Sequence, residues 1–241
     1  MANFVIDLAP LKKSRDFSLL WAAGLISYFG SMITYVAVPF QVKELTGSYV
    51  AVAISGLVEI VPLIIFGLYG GVLADALDRK KLIWVTELLS LLFSAILLIN
   101  SMMDSPSLLL IYIVSGLFAA VSGLRQPAMQ AALPRLVDHE DMTAAAALMS
   151  LRWQVGVIVG PAIGGILISS YSVAVGYAAD IATFIISIAL IAFMKNIPPS
   201  HEAEAPSLSA LIEGVKYAFS RKDLLGTYLI DLAAMFFAMP T

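Results

Sequence analysis

Residues 70–83 read GGVLADALDRKKLI: two glycines, two aspartates and three consecutive basic residues, set between long apolar runs. Upstream lies the run from Tyr49 to Ala74, and downstream the run from Leu82 to Met103. Each exceeds the ~20 residues a helix needs to cross ~30 Å of hydrocarbon, so the quoted stretch reads as the polar turn between two membrane spans. Comparable runs extend from Phe17 to Gln41, Ser107 to Leu124, Thr143 to Ser170 and Val173 to Met194. That makes six spans; a seventh begins near Leu224 and reaches Thr241. Backbone groups find no water at membrane depth, so the spans are predicted as helices. The alternating pattern of about ten residues that marks a membrane strand is absent.

Composition agrees, with 60% of the residues hydrophobic and 13% charged, far from the balance of a soluble domain. The lack of cysteine excludes disulfides, thiolate catalysis and Cys-bound metals. The two histidines, His139 and His201, fall in polar connections, so no catalytic residue and no metal ligand is assigned. The first apolar run, residues 17–41, is too long for a signal peptide and reads as a retained span.

Alternating the spans places every Lys and Arg except Lys43 on or near one side, with Lys12, Lys13 and Arg15 at the start and Arg79, Lys80 and Lys81 in the quoted turn. This asymmetry marks the cytoplasmic side and puts the N-terminus there, in a multi-pass protein of the cell inner (cytoplasmic) membrane. The lipid bilayer is the partner this implies; no nucleic acid is expected.

After the sixth span comes KNIPPSHEAEAPS, residues 195–207, a Pro-rich and acidic linker. In the segment that follows, Leu208, Leu211, Ile212, Val215 and Phe219 share one face of an amphipathic helix. The expected organisation is a six-helix transmembrane bundle over 1–194, a cytoplasmic linker with its amphipathic helix over 195–222, and the start of span 7 over 223–241. Such a layout suits a protein of two six-span halves, of which the second half is a missing partner. An internal repeat supports it: YGGVLA at 69–74 in span 2 matches IGGILI at 163–168 in span 5, the relation expected of an inverted 3+3 arrangement.

Two motifs carry the functional reading. Gly71, Asp75, Arg79 and Lys80 follow G-x-x-x-D-x-x-x-R-K. Gly71 would allow close packing at the end of span 2, while Asp75 and the two cations offer ionic contacts that break and reform between helix bundles. The plainer alternative is a tight turn whose cations set topology. In span 5, Gly156, Gly160, Pro161, Gly164 and Gly165 give G-x-x-x-G-P-x-x-G-G, where small residues admit a neighbouring helix at backbone distance and proline removes one backbone hydrogen bond.

Together with the opening LAPLKKSRDFSLLWAAGLISYFGSMITYVAVPFQV, these motifs resemble the major facilitator superfamily, in the branch of the enterobactin exporter and the macrolide-efflux proteins. The resemblance covers essentially the whole chain. It implies an all-α integral membrane fold, with an N-terminal six-helix bundle built as a 3+3 inverted repeat of a twelve-span transporter. It also implies a secondary active exporter of a siderophore or drug working as a proton antiporter, with no cofactor beyond the proton gradient. Two departures stand out. Ala76 and Asp78 replace a basic residue and a glycine usual in the loop, and Tyr112 stands where many proton-coupled members have an arginine in span 4.

An ionisable side chain within a span is costly and therefore a functional candidate. Glu59 and Arg152 both fall roughly 15 Å inside their spans at 1.5 Å per residue. Spans 1, 2, 4 and 5 line the cavity in the resembled family, which makes this pair candidates for substrate binding or coupling, with a structural ion pair as the alternative. Glu87 and Arg125 lie closer to the basic side and favour a structural role. Asp180 is expected at an interface on a peripheral span, and Asp231 falls in the seventh span. In span 1, Ala23, Ser27, Gly30 and Thr34 form a small-residue stripe for helix contact. Tyr28, Met32, Tyr35 and Pro39 form a bulkier one, suited either to a small-molecule amphiphilic substrate or to packing. Importers of the same fold, an intramembrane enzyme and a six-span scaffold remain as competing readings.

Overall fold

The structure, a computed structural model, describes residues 7–199 together with 220, 221, 226, 227 and 230. The chain divides into two compact units, Met1–Ala203 and Glu204–Thr241. The expected amphipathic helix, the seventh span and Asp231 lie outside the described residues, apart from the isolated positions just named.

The first unit is helical throughout its described length. A short helix α1, Ala9–Lys13, precedes six long ones: α2 Arg15–Thr46, α3 Tyr49–Ala76, α4 Arg79–Ser101, α5 Leu108–Leu136, α6 Met142–Ser170 and α7 Val173–Ala192. All six are long and apolar enough to cross a membrane, and they match spans 1 to 6. Their starts are chemically determined. Side chains of Ser14, Ser48, Asp78, Ser107 and Ser172 each accept a hydrogen bond from a backbone N–H of the first helical turn, the usual way of satisfying N–H groups that lack a helical partner. At the end of α2, Gly47 takes φ of 66°, a left-handed conformation that glycine adopts without Cβ strain. Span 4 proves longer than its apolar run, because α5 continues through Pro127 and Pro134 as far as Leu136.

Packing gives the helices a definite order. α3 packs on α5, α5 on α4, α4 on α7, α7 on α2, and α2 on α6. In span numbers the order is 2, 4, 3, 6, 1, 5. Exchanging the first three spans with the last three reverses this order and leaves it otherwise unchanged, as a two-fold relation between the halves requires. The helix starts repeat the relation, since 108 − 15, 142 − 49 and 173 − 79 give 93, 93 and 94. Alternating directions along the chain make the repeat inverted.

The glycine pairs of the sequence repeat behave alike. A Cβ on Gly70 would lie 2.8 Å from Leu124 Cα, and one on Gly164 would lie 3.1 Å from Ile33 Cα, so span 2 meets span 4 as span 5 meets span 1. The second glycine of each pair, Gly71 and Gly165, faces open space. The close packing expected of Gly71 therefore belongs to Gly70, one position away and about 100° around the helix.

Candidate functional site

The small-residue stripe of α2 carries the polar interior of the unit. Ala23, Ser27, Gly30 and Thr34 are all buried, and their small size lets α4 and α7 bring carboxylates against the helix. The Ser27 hydroxyl donates to Glu87 Oε1 at 3.0 Å, and the Thr34 hydroxyl donates to Asp180 Oδ2 at 2.6 Å. A Cβ on Gly30 would stand 1.9 Å from Thr183 Oγ1 and 2.6 Å from Asp180 Oδ1. The stripe is thus a helix contact, as expected, and also a set of donors.

Glu87 and Arg125 form a buried ion pair, with Nη1 donating to Oε1 at 3.0 Å and side-chain exposures of 2% and 14%. The two side chains expected near the basic side are thus each other's partners. Asp180 differs from expectation: it has no exposure at all and accepts from Ser94 Oγ at 2.6 Å as well as from Thr34. Two features bury it. α7 is wedged between α2 and α4, and seven residues of helix carry Asp180 about 10 Å inward.

Glu59 and Arg152 are not brought together. They sit on α3 and α6, at opposite ends of the packing order, and the ion pair considered for them does not form. Within residues 7–199, ion pairs join Glu87 with Arg125 and Lys13 with Asp141. Glu59 is half-buried on α3 with no hydrogen bond or ion pair among the described residues. The Arg152 guanidinium lies over Gly24, whose Cβ would stand 2.2 Å from Nη1. Its Nε and Nη1 are buried without an acceptor.

The span 5 motif is a docking strip for α2. Gly156 faces the Tyr28 ring, Gly160 faces Met32 and the Phe29 carbonyl, and Gly164 faces the Ile33 backbone, a spacing of four that keeps one face in register. Pro161 stands within an unbroken helix. Two members of the bulky α2 stripe, Tyr28 and Met32, are therefore occupied in packing, while Tyr35 stays 63% exposed. Tyr112 donates to the Ala51 carbonyl at 2.9 Å, tying α5 to the first turn of α3.

The quoted turn divides its charges between two tasks. Arg79 is buried, its Nη1 donating to the Pro198 carbonyl at 2.8 Å, and Lys80 Nζ donates to the carbonyls of Ala192 and Met194. Lys80 thus caps the end of α7, where helix carbonyls lack N–H partners, and Arg79 holds the segment that follows it. Asp78, in place of the usual glycine, caps α4 and also accepts from the Ile197 N–H. Asp75 is exposed and makes no hydrogen bond or ion pair among the described residues. At the same end, a cavity of about 670 Å³ opens beside α1 and the α5–α6 turn. There Asp141, by hydrogen bond and charge, holds the Lys13 ammonium above its ordinary range.

Over residues 6–240 the chain matches the family model described as "Transmembrane secretion effector", of the major facilitator superfamily. The chain belongs to that family. It is therefore a multi-pass membrane protein of a transporter superfamily. Curated relatives include the enterobactin exporters of Shigella boydii serotype 18, at 32% identity over 232 residues, and of Shigella flexneri, at 31% over 242 residues. The same exporter of Escherichia coli O1:K1 is 32% identical over 232 residues. These alignments cover 95%, 99% and 95% of this chain and 55%, 58% and 55% of the relatives, so the chain spans a little over half their length.

Within this superfamily member, sequence reasoning placed Asp180 at an interface where the structure buries it, and passed over Gly70 and Gly123. The glycines carried a signal, since Gly116 and Gly123 stand seven apart in span 4, two turns along one helix face. For Asp180 the sequence offered only its position within a span, which does not say which neighbour covers it.

Proposed function

We propose that this chain supplies one six-helix half of a secondary active exporter that works by alternating access, with the N-terminus in the cytoplasm of the cell that exports. The observation that carries this reading is the state of α3 and α6. As the two ends of the packing order they are the least covered helices, with 6% and 22% of their apolar windows buried against 33–44% for the others. In a rocking transporter these faces would meet a second six-helix bundle across a central cavity. The small-molecule amphiphilic substrate would bind in that cavity near mid-membrane.

The relatives' names support a siderophore as cargo, and a lipophilic drug is the next class to test. Arg152 supports an acidic or phenolic substrate group, because a buried guanidinium without an acceptor is costly until an anion reaches it. Proton antiport is the energy source this reading assigns, with no other cofactor. Glu59, half-buried on the open face of α3, is its coupling candidate.

The loop then acts asymmetrically. Arg79 and Lys80 fasten the turn to the end of α7 and the segment after it, within their own bundle, and Asp75 is left to engage the other. Asp75→Asn is expected to slow the transport cycle at least tenfold while leaving substrate affinity within twofold; turnover equal to the parent's would discard Asp75 as a gating group.

An efflux assay on cells with and without the protein carrying both halves tests the function. A panel of a catecholate siderophore, a macrolide and a lipophilic dye is expected to show export of at least one class, abolished by an uncoupler. Glu59→Gln is expected to weaken the uncoupler-sensitive part with expression unchanged. Efflux that ignores the uncoupler, or accumulation in place of efflux, would overturn this reading.

A further inference from the structure

We propose that Asp180, clasped by Thr34 and Ser94, is a proton-binding site inside the bundle that loads and unloads during the transport cycle. The argument starts from a comparison the molecule makes with itself. Spans 3 and 6 are equivalents in the inverted repeat, and each carries one buried acid at nearly the same distance from its own N-terminal end, the two ends lying on opposite sides of the membrane: Glu87 is the ninth residue of α4, and Asp180 the eighth of α7. Their surroundings differ in kind. Glu87 has a cation, Arg125, at 3.0 Å. Asp180 has none; two hydroxyls donate to its Oδ2, and its Oδ1 is buried without any donor.

The charged and titratable groups facing Asp180 are few. α4 brings Glu87 and α5 brings Arg125, already committed to each other, and α7 itself brings Tyr177. The Tyr177 hydroxyl is spent on Gln41 Oε1 at 2.8 Å. α2 contributes Thr34 and the bare face of Gly30, and the Arg152 guanidinium of α6 lies over Gly24, six residues along α2 from Gly30. A carboxylate in full burial with neither countercharge nor a complete set of donors is costly to keep ionised, whereas the carboxylic acid is not. The two hydroxyls act in the opposite direction, since their hydrogen bonds stabilise the ionised form. A site balanced in this way exchanges its proton when a small movement brings or removes water or a donor.

The position supplies that movement. Asp180 joins spans 1, 3 and 6 through Thr34 and Ser94, so a shift of α2 against α7 changes the donors on Oδ2 directly. Gly30 is the contact where α2 and α7 come closest to the carboxylate, and any side chain there would displace Thr183 and Asp180. The proton is simply added to or lost from a carboxyl oxygen; no other bond changes. The role in transport rests on the exporter reading above, while proton binding stands independently of it.

The test uses the protein carrying both halves, reconstituted in liposomes. Subtracting the acid-minus-alkaline infrared spectrum of Asp180→Asn from that of the parent is expected to leave one carbonyl stretch of a protonated carboxyl, a band that Ser187→Ala retains. Ser94→Ala removes one donor to the ionised form and is expected to strengthen proton binding at this site about tenfold. Ser187→Ala, which alters a buried hydroxyl of the same helix that has no partner, is expected to leave it unchanged. A subtraction that leaves no such band, or a band indifferent to Ser94→Ala, overturns the proposal. Should Asp180→Asn fail to fold, the Ser94→Ala titration decides alone. For transport, a pH gradient is expected to drive the parent protein and not Asp180→Asn, which keeps substrate counterflow at equal pH. A pH-driven Asp180→Asn variant refutes the transport role. A parent protein indifferent to the gradient refutes proton coupling as such and leaves the infrared result to decide the site.

Discussion

Glu87→Ala is expected to destabilise the six-helix unit by about 3–5 kcal/mol, the cost typical of removing one partner from a buried ion pair. The magnitude comes from what is left behind. Arg125 is 14% exposed, and its Nη1 donates to Glu87 Oε1 at 3.0 Å, so the alanine variant buries a guanidinium with no countercharge. Ser27 loses its acceptor in the same step. Thermal melting in detergent is expected to show the loss as a large fall in midpoint. The double variant Glu87→Ala/Arg125→Leu is expected to recover much of it, because removing both charges removes the burial cost along with the attraction. If the single and double variants melt alike, the pair contributes nothing of its own, and the assignment of a structural role to Glu87 fails.

Gly123→Val is the second large effect, and its origin is steric. A Cβ at residue 123 would lie 2.7 Å from the Gly67 nitrogen, 2.8 Å from the Leu63 carbonyl oxygen and 3.1 Å from the Phe66 carbonyl carbon. All three are backbone atoms of α3, and a helix backbone cannot rotate out of the way as a side chain does. The substitution must push α5 and α3 apart along their whole contact, at a cost in the upper part of the roughly 1–3 kcal/mol seen for overpacked cores, or beyond it. Gly156→Ala provides the contrast. Its Cβ would meet the Tyr28 ring at 2.2 Å, a side chain able to turn aside toward the open face of α6, so a smaller loss is expected. Measured melting temperatures that rank the two in the opposite order would show that the α3–α5 contact is softer than its geometry implies.

These two sites show where sequence reasoning reached and where it stopped. The Glu87 role followed from its position near the basic side, because a carboxylate and an arginine in adjoining spans have few ways to be accommodated in hydrocarbon. Gly123 gave a weaker hint, its spacing of seven from Gly116, which marks a helix face and not the neighbour that arrives there. The span 5 motif shows the same division. That Gly156, Gly160 and Gly164 form one strip is a matter of helix periodicity. That the strip receives Tyr28 and Met32 of α2 required the packing order. For Gly71 the periodicity argument chose the wrong member of a pair, because either glycine of GG could face the neighbour.

The sequence by itself determined the six spans, their helical form, the serine and aspartate caps that start them, the polar turn at 75–81 and the 3+3 repeat. These follow from local rules: hydrocarbon thickness, backbone hydrogen bonding, capping and the recurrence of GG. Tertiary structure alone decided which charge meets which. It kept Glu59 from Arg152 by setting α3 and α6 at opposite ends of the packing order, gave Arg125 to Glu87, turned Lys80 onto the end of α7 and Arg79 onto the segment after it, and sealed Asp180 among hydroxyls. The physical reason is range. Caps and periodicities act within a turn or two of helix, whereas the environment of a buried charge is set by residues dozens of positions away, brought near only when the helices pack.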